Sequence, residues 1–155
     1  MIITDNGGVM ANSFSTDIEA RDLFASKMNV VKKCSNALSE GCWTGTLVGP
    51  EGFVTNAGMI LSDGTMVAFN FSSGNYSSSC NIIHGNATNV CFEIYVDTNG
   101  FKRPNKTGKD VLVFLVYENT LRIGGTNNDY YAINPTYYAC STGIKPFLCQ
   151  FDYFK

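Results

Sequence analysis

The side chains best placed to do chemistry in this sequence lie in VDTNGFKRPNKTGKD, residues 96–110. Asp97, Asn99 and Asp110 offer carboxylate and amide oxygens, Gly100 and Gly108 permit positive φ, and Pro104 stiffens the middle. A loop of this make-up can fold its oxygens inward around a hard cation such as calcium. It can equally be a turn-rich connection, because Asp, Asn and Gly cap and turn the chain locally. An EF-hand is excluded: glycine follows too soon after Asp97, and no glutamate closes the loop at the required distance.

Sulfur is the second resource. Cys34, Cys42, Cys80, Cys91, Cys140 and Cys149 form an even set with no CxxC pair, and His84 is the only histidine. Zinc sites draw on closely spaced ligand pairs, so disulfides in an oxidising compartment are the better use of these thiols. Order along the chain favours Cys34 with Cys42, Cys80 with Cys91 and Cys140 with Cys149, since each pair closes a short loop. Catalytic arrangements are weaker, and no catalytic residue is expected. A serine or cysteine nucleophile wants a histidine base, and His84 stands in a polar stretch beside Gly85, as an exposed loop residue would. Glu93, Asp97 and Asp110 are the acids available to a glycosidase-like pair, but no aromatic sugar platform accompanies them. Gly124 and Gly125 lack the lysine and helix of a phosphate loop. Tyr130, Tyr131, Tyr137 and Tyr138 read as residues that pack a long loop onto the body, or as a contact surface.

Composition frames these choices. The chain has 155 residues, of which 15% are charged, with a net charge of −2 and no basic block, so it has no means of gripping a phosphate backbone and nucleic acid is not an expected partner. The length suits one domain with a real core. No signal peptide or apolar run of membrane-spanning length is visible, so Met1, Ile2 and Ile3 read as the start left after removal of an export segment.

The elements that would position these residues follow from periodicity. Residues 1–12 read as a disordered or extraneous tail, and 13–155 as a single globular domain. Thr16 and Glu19 form a capping-box pair, and Ala20, Phe24, Met28, Val31, Cys34 and Leu38 recur at three- and four-residue steps. The spacing predicts a long helix from Ser15 to Leu38. Beyond Trp43 the pattern turns to strands: 58–61 and 65–71 flank Ser62-Asp63-Gly64 as a hairpin, with Val67, Phe69 and Phe71 on one face. Cys91 to Val96 is the next strand. Val111 to Val116 is apolar without alternation, so it belongs mid-sheet with both faces covered, and Thr120 to Ile123 returns as its hairpin partner. The predicted class is α+β, a long N-terminal helix packed on an antiparallel sheet and braced by disulfides.

Four stretches together resemble one family: KMNVVKKCSNALSEGCW (27–43), MILSDGTMVAFNF (59–71), CFEIYVDTNGFKRPNKTGKDVLVFLV (91–116) and CSTGIKPFLCQFDYFK (140–155). They are similar to the soluble heads of bacterial type IV pilin-like proteins, in particular the type II secretion pseudopilins. The DTNGFKRPNKTGKD loop is the most specific piece. The basic leader, cleavage glycine and apolar helix of that family are not in this sequence, so the resemblance implies a head domain without its hydrophobic spine. It further implies a structural subunit of a pilus or secretion pseudopilus, partnered by other pilin or pseudopilin subunits and anchored in the inner membrane before assembly only through that spine. The site would be a periplasmic or cell-surface filament. Major pseudopilins bind calcium in a loop of the head, which draws the calcium expectation toward Asp97, Asn99 and Asp110, although the loop does not match that site residue by residue. One alternative stays open. Asn70, Asn75, Asn86 and Asn105 each begin an N-x-Ser/Thr sequon, as a secreted or surface-exposed glycosylated adhesin or binding module without catalytic activity would carry.

Overall fold

The computed structural model describes residues 10–44, 56–71, 76–84, 87–102 and 110–124. Its helix starts where the cap chemistry says it should. The Thr16 hydroxyl accepts the Glu19 N–H at 3.1 Å, and the Glu19 carboxylate reaches back to the Ser15 N–H at 2.6 Å. Helix α1 (Asp17–Ala25) is only nine residues long, however, and Ser26 ends it with its backbone N–H bonded to the Asp22 carbonyl and its hydroxyl to the Leu23 carbonyl.

The chain then turns, and Val30–Cys34 forms strand β1, at the edge of the sheet among the described residues. The long helix predicted over Ser15 to Leu38 is therefore not formed. Two physical reasons stand out. Val30 and Val31 are β-branched and favour extended backbone, and the N–H and C=O groups of the neighbouring strand find their partners in β1. The expected apolar stripe does not hold to one side either: Met28, Val31 and Leu38 are exposed while Ala20, Phe24 and Cys34 are buried.

Among the described residues the sheet has seven antiparallel strands: β1, β2 (Gly58–Leu61), β3 (Met66–Asn70), β4 (Ile82–His84), β5 (Ala87–Asp97), β6 (Val111–Tyr117) and β7 (Leu121–Ile123). Their order is β1-β2-β3-β5-β6-β7, with β4 a hairpin partner of the first part of β5. Among the described residues the fold is thus mostly antiparallel β with one short helix, in place of the predicted α+β arrangement with a long N-terminal helix. The β2–β3 hairpin forms around Ser62-Asp63-Gly64 as expected, with the Asp63 carboxylate accepting the Thr65 N–H at 2.9 Å. The apolar run 111–116 lies between β5 and β7, buried on both faces along most of its length.

Period-two alternation splits the core in two. On one face Met59, Val67, Phe69, Phe92, Ile94 and Val116 pack against Phe24 and Ala20 of α1 and against Phe14 and Met10 ahead of it. Met10, read from the sequence as part of the tail, is fully buried, and its N–H donates to the Glu118 carbonyl at 2.6 Å. Phe14 meets Phe92 and Phe71 edge-on with ring centroids 5.0 and 5.7 Å away, geometry that adds to simple area burial. The helix crosses β2 and β3 rather than lying along β6. On the other face Ile60, Met66, Ala68, Tyr95, Val113 and Leu115 pack with Ala37, Trp43 and the Cys34–Cys42 bridge. Disulfides join Cys34 to Cys42 and Cys80 to Cys91, both short-loop pairs; Cys140 and Cys149 lie outside the described residues.

Candidate functional site at the β5–β6 end

Asp97 is the last residue of β5, and the antiparallel register sets it between Met66 of β3 and Val111 of β6 on the face opposite the helix. Its side chain is therefore fully buried. The chain turns back over it, and the N–H groups of Asn99 and Gly100 both donate to Oδ1, at 3.1 and 3.0 Å. This is an aspartate-headed turn of the kind that the Asp-Thr-Asn-Gly order favours. Thr98 fastens the other side of the loop: its N–H and hydroxyl both donate to the Asp110 carbonyl, at 2.8 and 3.1 Å.

Gly100 has φ +58°, and a Cβ built on it would come within 2.1 Å of the Gly64 carbonyl oxygen. No side chain fits there. The β2–β3 turn and the β5–β6 turn are thus stacked backbone on backbone, which is how β3–β5 pairing passes on into the loop. Sequence reading flags both Asp63-Gly64 and Asn99-Gly100 as turns, but their contact joins residues far apart in the chain and no local signal reports it.

Burial pushes the Asp97 carboxyl above the usual carboxylate range, and the negative charge of Asp110 adds to the rise, while the two N–H donors oppose it. Asp97 and Asp110, two of the three residues proposed from sequence as cation ligands, are therefore neighbours electrostatically. Asn99 is half-buried in the turn between them. A cation here would offset the repulsion of two carboxylates, but calcium takes about six to eight oxygens. Among the described residues no group of three or more acidic, histidine or cysteine side chains is gathered that could hold a metal ion. The described residues thus supply a carboxylate pair rather than a complete cage. Residues 103–109 of the same loop lie outside them.

Two residues before Tyr95 on the same face, Glu93 is buried, and its Oε2 accepts from Asn70 Nδ2 at 2.8 Å and from the Tyr95 hydroxyl at 3.1 Å. This cluster was not foreseen as a unit, though period-two spacing puts Glu93, Tyr95 and Asp97 on one face once β5 is known to be a strand. Glu93 and Asp97 are about 13 Å apart along an extended backbone, wider than the roughly 5 to 9.5 Å of a glycosidase pair. They cannot act together as acid and base. Asn70 is fully buried and its amide donates to Glu93, so this fold leaves no room for a glycan on the first sequon; Asn75, Asn86 and Asn105 lie outside the described residues.

The other residues singled out from sequence are dispersed. His84 is the last residue of β4, in register with Ala87, rather than part of a loop. Gly124 is buried after β7, its N–H bonded to the Val113 carbonyl at 2.9 Å. Gly125 and the four tyrosines from Tyr130 to Tyr138 lie outside the described residues. The two disulfides suit an oxidising, extracellular or periplasmic environment. No helix among the described residues is long and apolar enough to cross a membrane. Comparison with protein-family models, curated proteins and solved structures gives no match.

Proposed function

We propose that this chain is a structural rather than catalytic protein, the head of a bacterial filament subunit of the type IV pilin or type II secretion pseudopilin kind, acting outside the cytoplasm. The observation that carries the reading is the closure of the DTNGFKRPNKTGKD stretch. The piece of sequence most specific to that resemblance is also clamped at both ends, with Asp97 buried under its own turn and Thr98 bonded to Asp110. The two ends of the stretch are thus tied to each other and to the sheet, which suits a contact repeated in every copy of an assembly. The disulfide bracing supports the same compartment.

The nine-residue α1 does not serve as the filament spine on this reading; its apolar side is spent on β2 and β3. The subunit contact would come from an apolar helix of the kind the resemblance implies. Expression of the gene in a bacterial host with the assembly machinery, followed by shearing and immuno-electron microscopy, tests this. Filaments labelled along their length are expected. A chain recovered only as free monomer from the periplasm or medium would retire the proposal.

Calcium belongs to the same reading, as an ion that would relieve the Asp97–Asp110 repulsion. A thermal melt with millimolar calcium and then with chelator should show a higher Tm in calcium. No difference would remove the metal and leave the filament role standing.

A further inference from the structure

At the opposite end of β5 from Asp97 lies a cleft of about 390 Å³, formed where the start of β5 meets the β6–β7 turn. Asn89, Tyr117, Glu118, Asn119, Thr120 and Arg122 line it, two amides, a hydroxyl, a carboxylate, a guanidinium and a phenol. We infer that this cleft is a binding site for a neutral, hydroxyl-rich ligand, a saccharide unit.

The volume falls in the range of about 300 to 1,000 Å³ typical of small-ligand sites. The lining narrows the class. Glu118 and Arg122 bring one charge of each sign, so an anion such as phosphate would meet Arg122 but also Glu118, and a cation the reverse. An apolar ligand would leave most of the lining without partners. Vicinal hydroxyls both donate and accept, so they satisfy a carboxylate and a guanidinium edge alike, and the two amides besides.

The site is also held in shape before any ligand arrives. The Arg122 guanidinium lies over the Tyr117 ring, 4.9 Å from its centre, a cation–π contact that favours this placement of the side chain. The turn is closed by the Tyr117 N–H on the Thr120 carbonyl at 2.8 Å and tied to the N-terminal segment through the Met10 N–H on Glu118. Asn89 has φ +63°, a left-handed conformation that side chains other than Gly, Asn and Asp rarely adopt, beside an irregular register in β5. Left-handed residues and irregular register of this kind re-aim side chains out of a strand and are common beside binding sites. None of this depends on the filament reading, and the cleft is far from the acidic loop.

The test is a titration of the isotope-labelled full chain by NMR with galactose, N-acetylglucosamine and lactose, and with inorganic phosphate as the competing probe. Saturable shifts confined to the amides of Asn89 and Glu118 to Arg122 are expected with at least one saccharide. Asn89→Gly keeps the left-handed backbone without strain, so it removes the amide while preserving the fold; it and Arg122→Gln should each weaken binding by about tenfold, roughly the loss of one good polar contact. Unchanged circular dichroism spectra confirm that both variants fold, and if Arg122→Gln does not fold, Asn89→Gly alone decides. Absence of saccharide shifts, full affinity in Asn89→Gly, or saturation by phosphate alone would each overturn the assignment.

Discussion

Strands β1 and β6 are both valine-led, VVKKC and VLVFLVY, yet they are held in place by different forces. β6 lies between β5 and β7 with both faces covered, and Val113, Leu115 and Val116 are at most 1% exposed. β1 has one strand neighbour among the described residues, and Val31 is 67% exposed. Its anchors are covalent and electrostatic: the Cys34–Cys42 bridge, buried Arg21 donating to the Cys34 carbonyl at 2.9 Å, the Lys33–Asp22 ion pair at 2.9 Å, and Lys32 on the Glu40 carbonyl. The comparison teaches that composition does not choose between these modes. What chooses is the number of neighbours a strand is given, since burial requires cover on both faces and an edge must be secured by other means.

The sharpest break is Leu115→Ala in β6, which should cost about 2 to 5 kcal/mol in urea unfolding, the lost transfer energy plus a cavity. A cost near that of a surface change would mean β6 is not the centre of the core. Replacing both Cys34 and Cys42 by serine should cost about 2 to 3 kcal/mol on a chain-entropy account of a short loop. Hydrogen exchange should then rise over residues 30–43 and leave β5 and β6 protected; uniform loss would show that edge and centre are one unit.

Acid titration separates the two regions by sign. Asp22, beside β1, has its pKa lowered, chiefly by the hydrogen bond from Lys33, so its contribution is present above the unfolded value of 3.8 and fades as pH falls. Asp97, beside β6, has its pKa raised by burial, so its folded form is favoured when protonated and loses stability as pH rises from 3.8 through the folded value. Asp97→Asn keeps the oxygen that accepts the Asn99 and Gly100 N–H groups and should stabilise the protein at neutral pH, with no gain at pH low enough to protonate Asp97. An equal gain at both ends would assign the effect to packing. The smallest change is Val31→Thr, expected within about 0.5 kcal/mol of the parent because the side chain is already in water.

How far the sequence could be read followed the range of the interactions involved. The Thr16–Glu19 cap, the Asp63-Gly64 turn and the two short disulfide loops depend on residues close in the chain, and their chemistry is visible there. The run from Ala20 to Leu38 misled because Ala20, Phe24, Met28 and Val31 match a helical stripe, while the deciding facts were Val30 opposite Leu61 and Cys34 opposite Gly58. The candidate loop was recognised from its Asp, Asn and Gly content. Its stacking on Gly64, and the burial that raises Asp97, were not.

By itself, then, the sequence determined the turns, the helix start, the centrality of 111–116 and an oxidising home for its cysteines, because each rests on local backbone preference or on hydrophobic runs that have only one way to be buried. Only the tertiary structure decided where the helix stops, which strand ends the described sheet, that Asp97 and Asp110 come near enough to repel, and that a polar cleft opens beside Arg122. Those outcomes depend on pairing between distant segments, and such pairing is selected by the backbone groups and apolar faces each segment finds unsatisfied in the others.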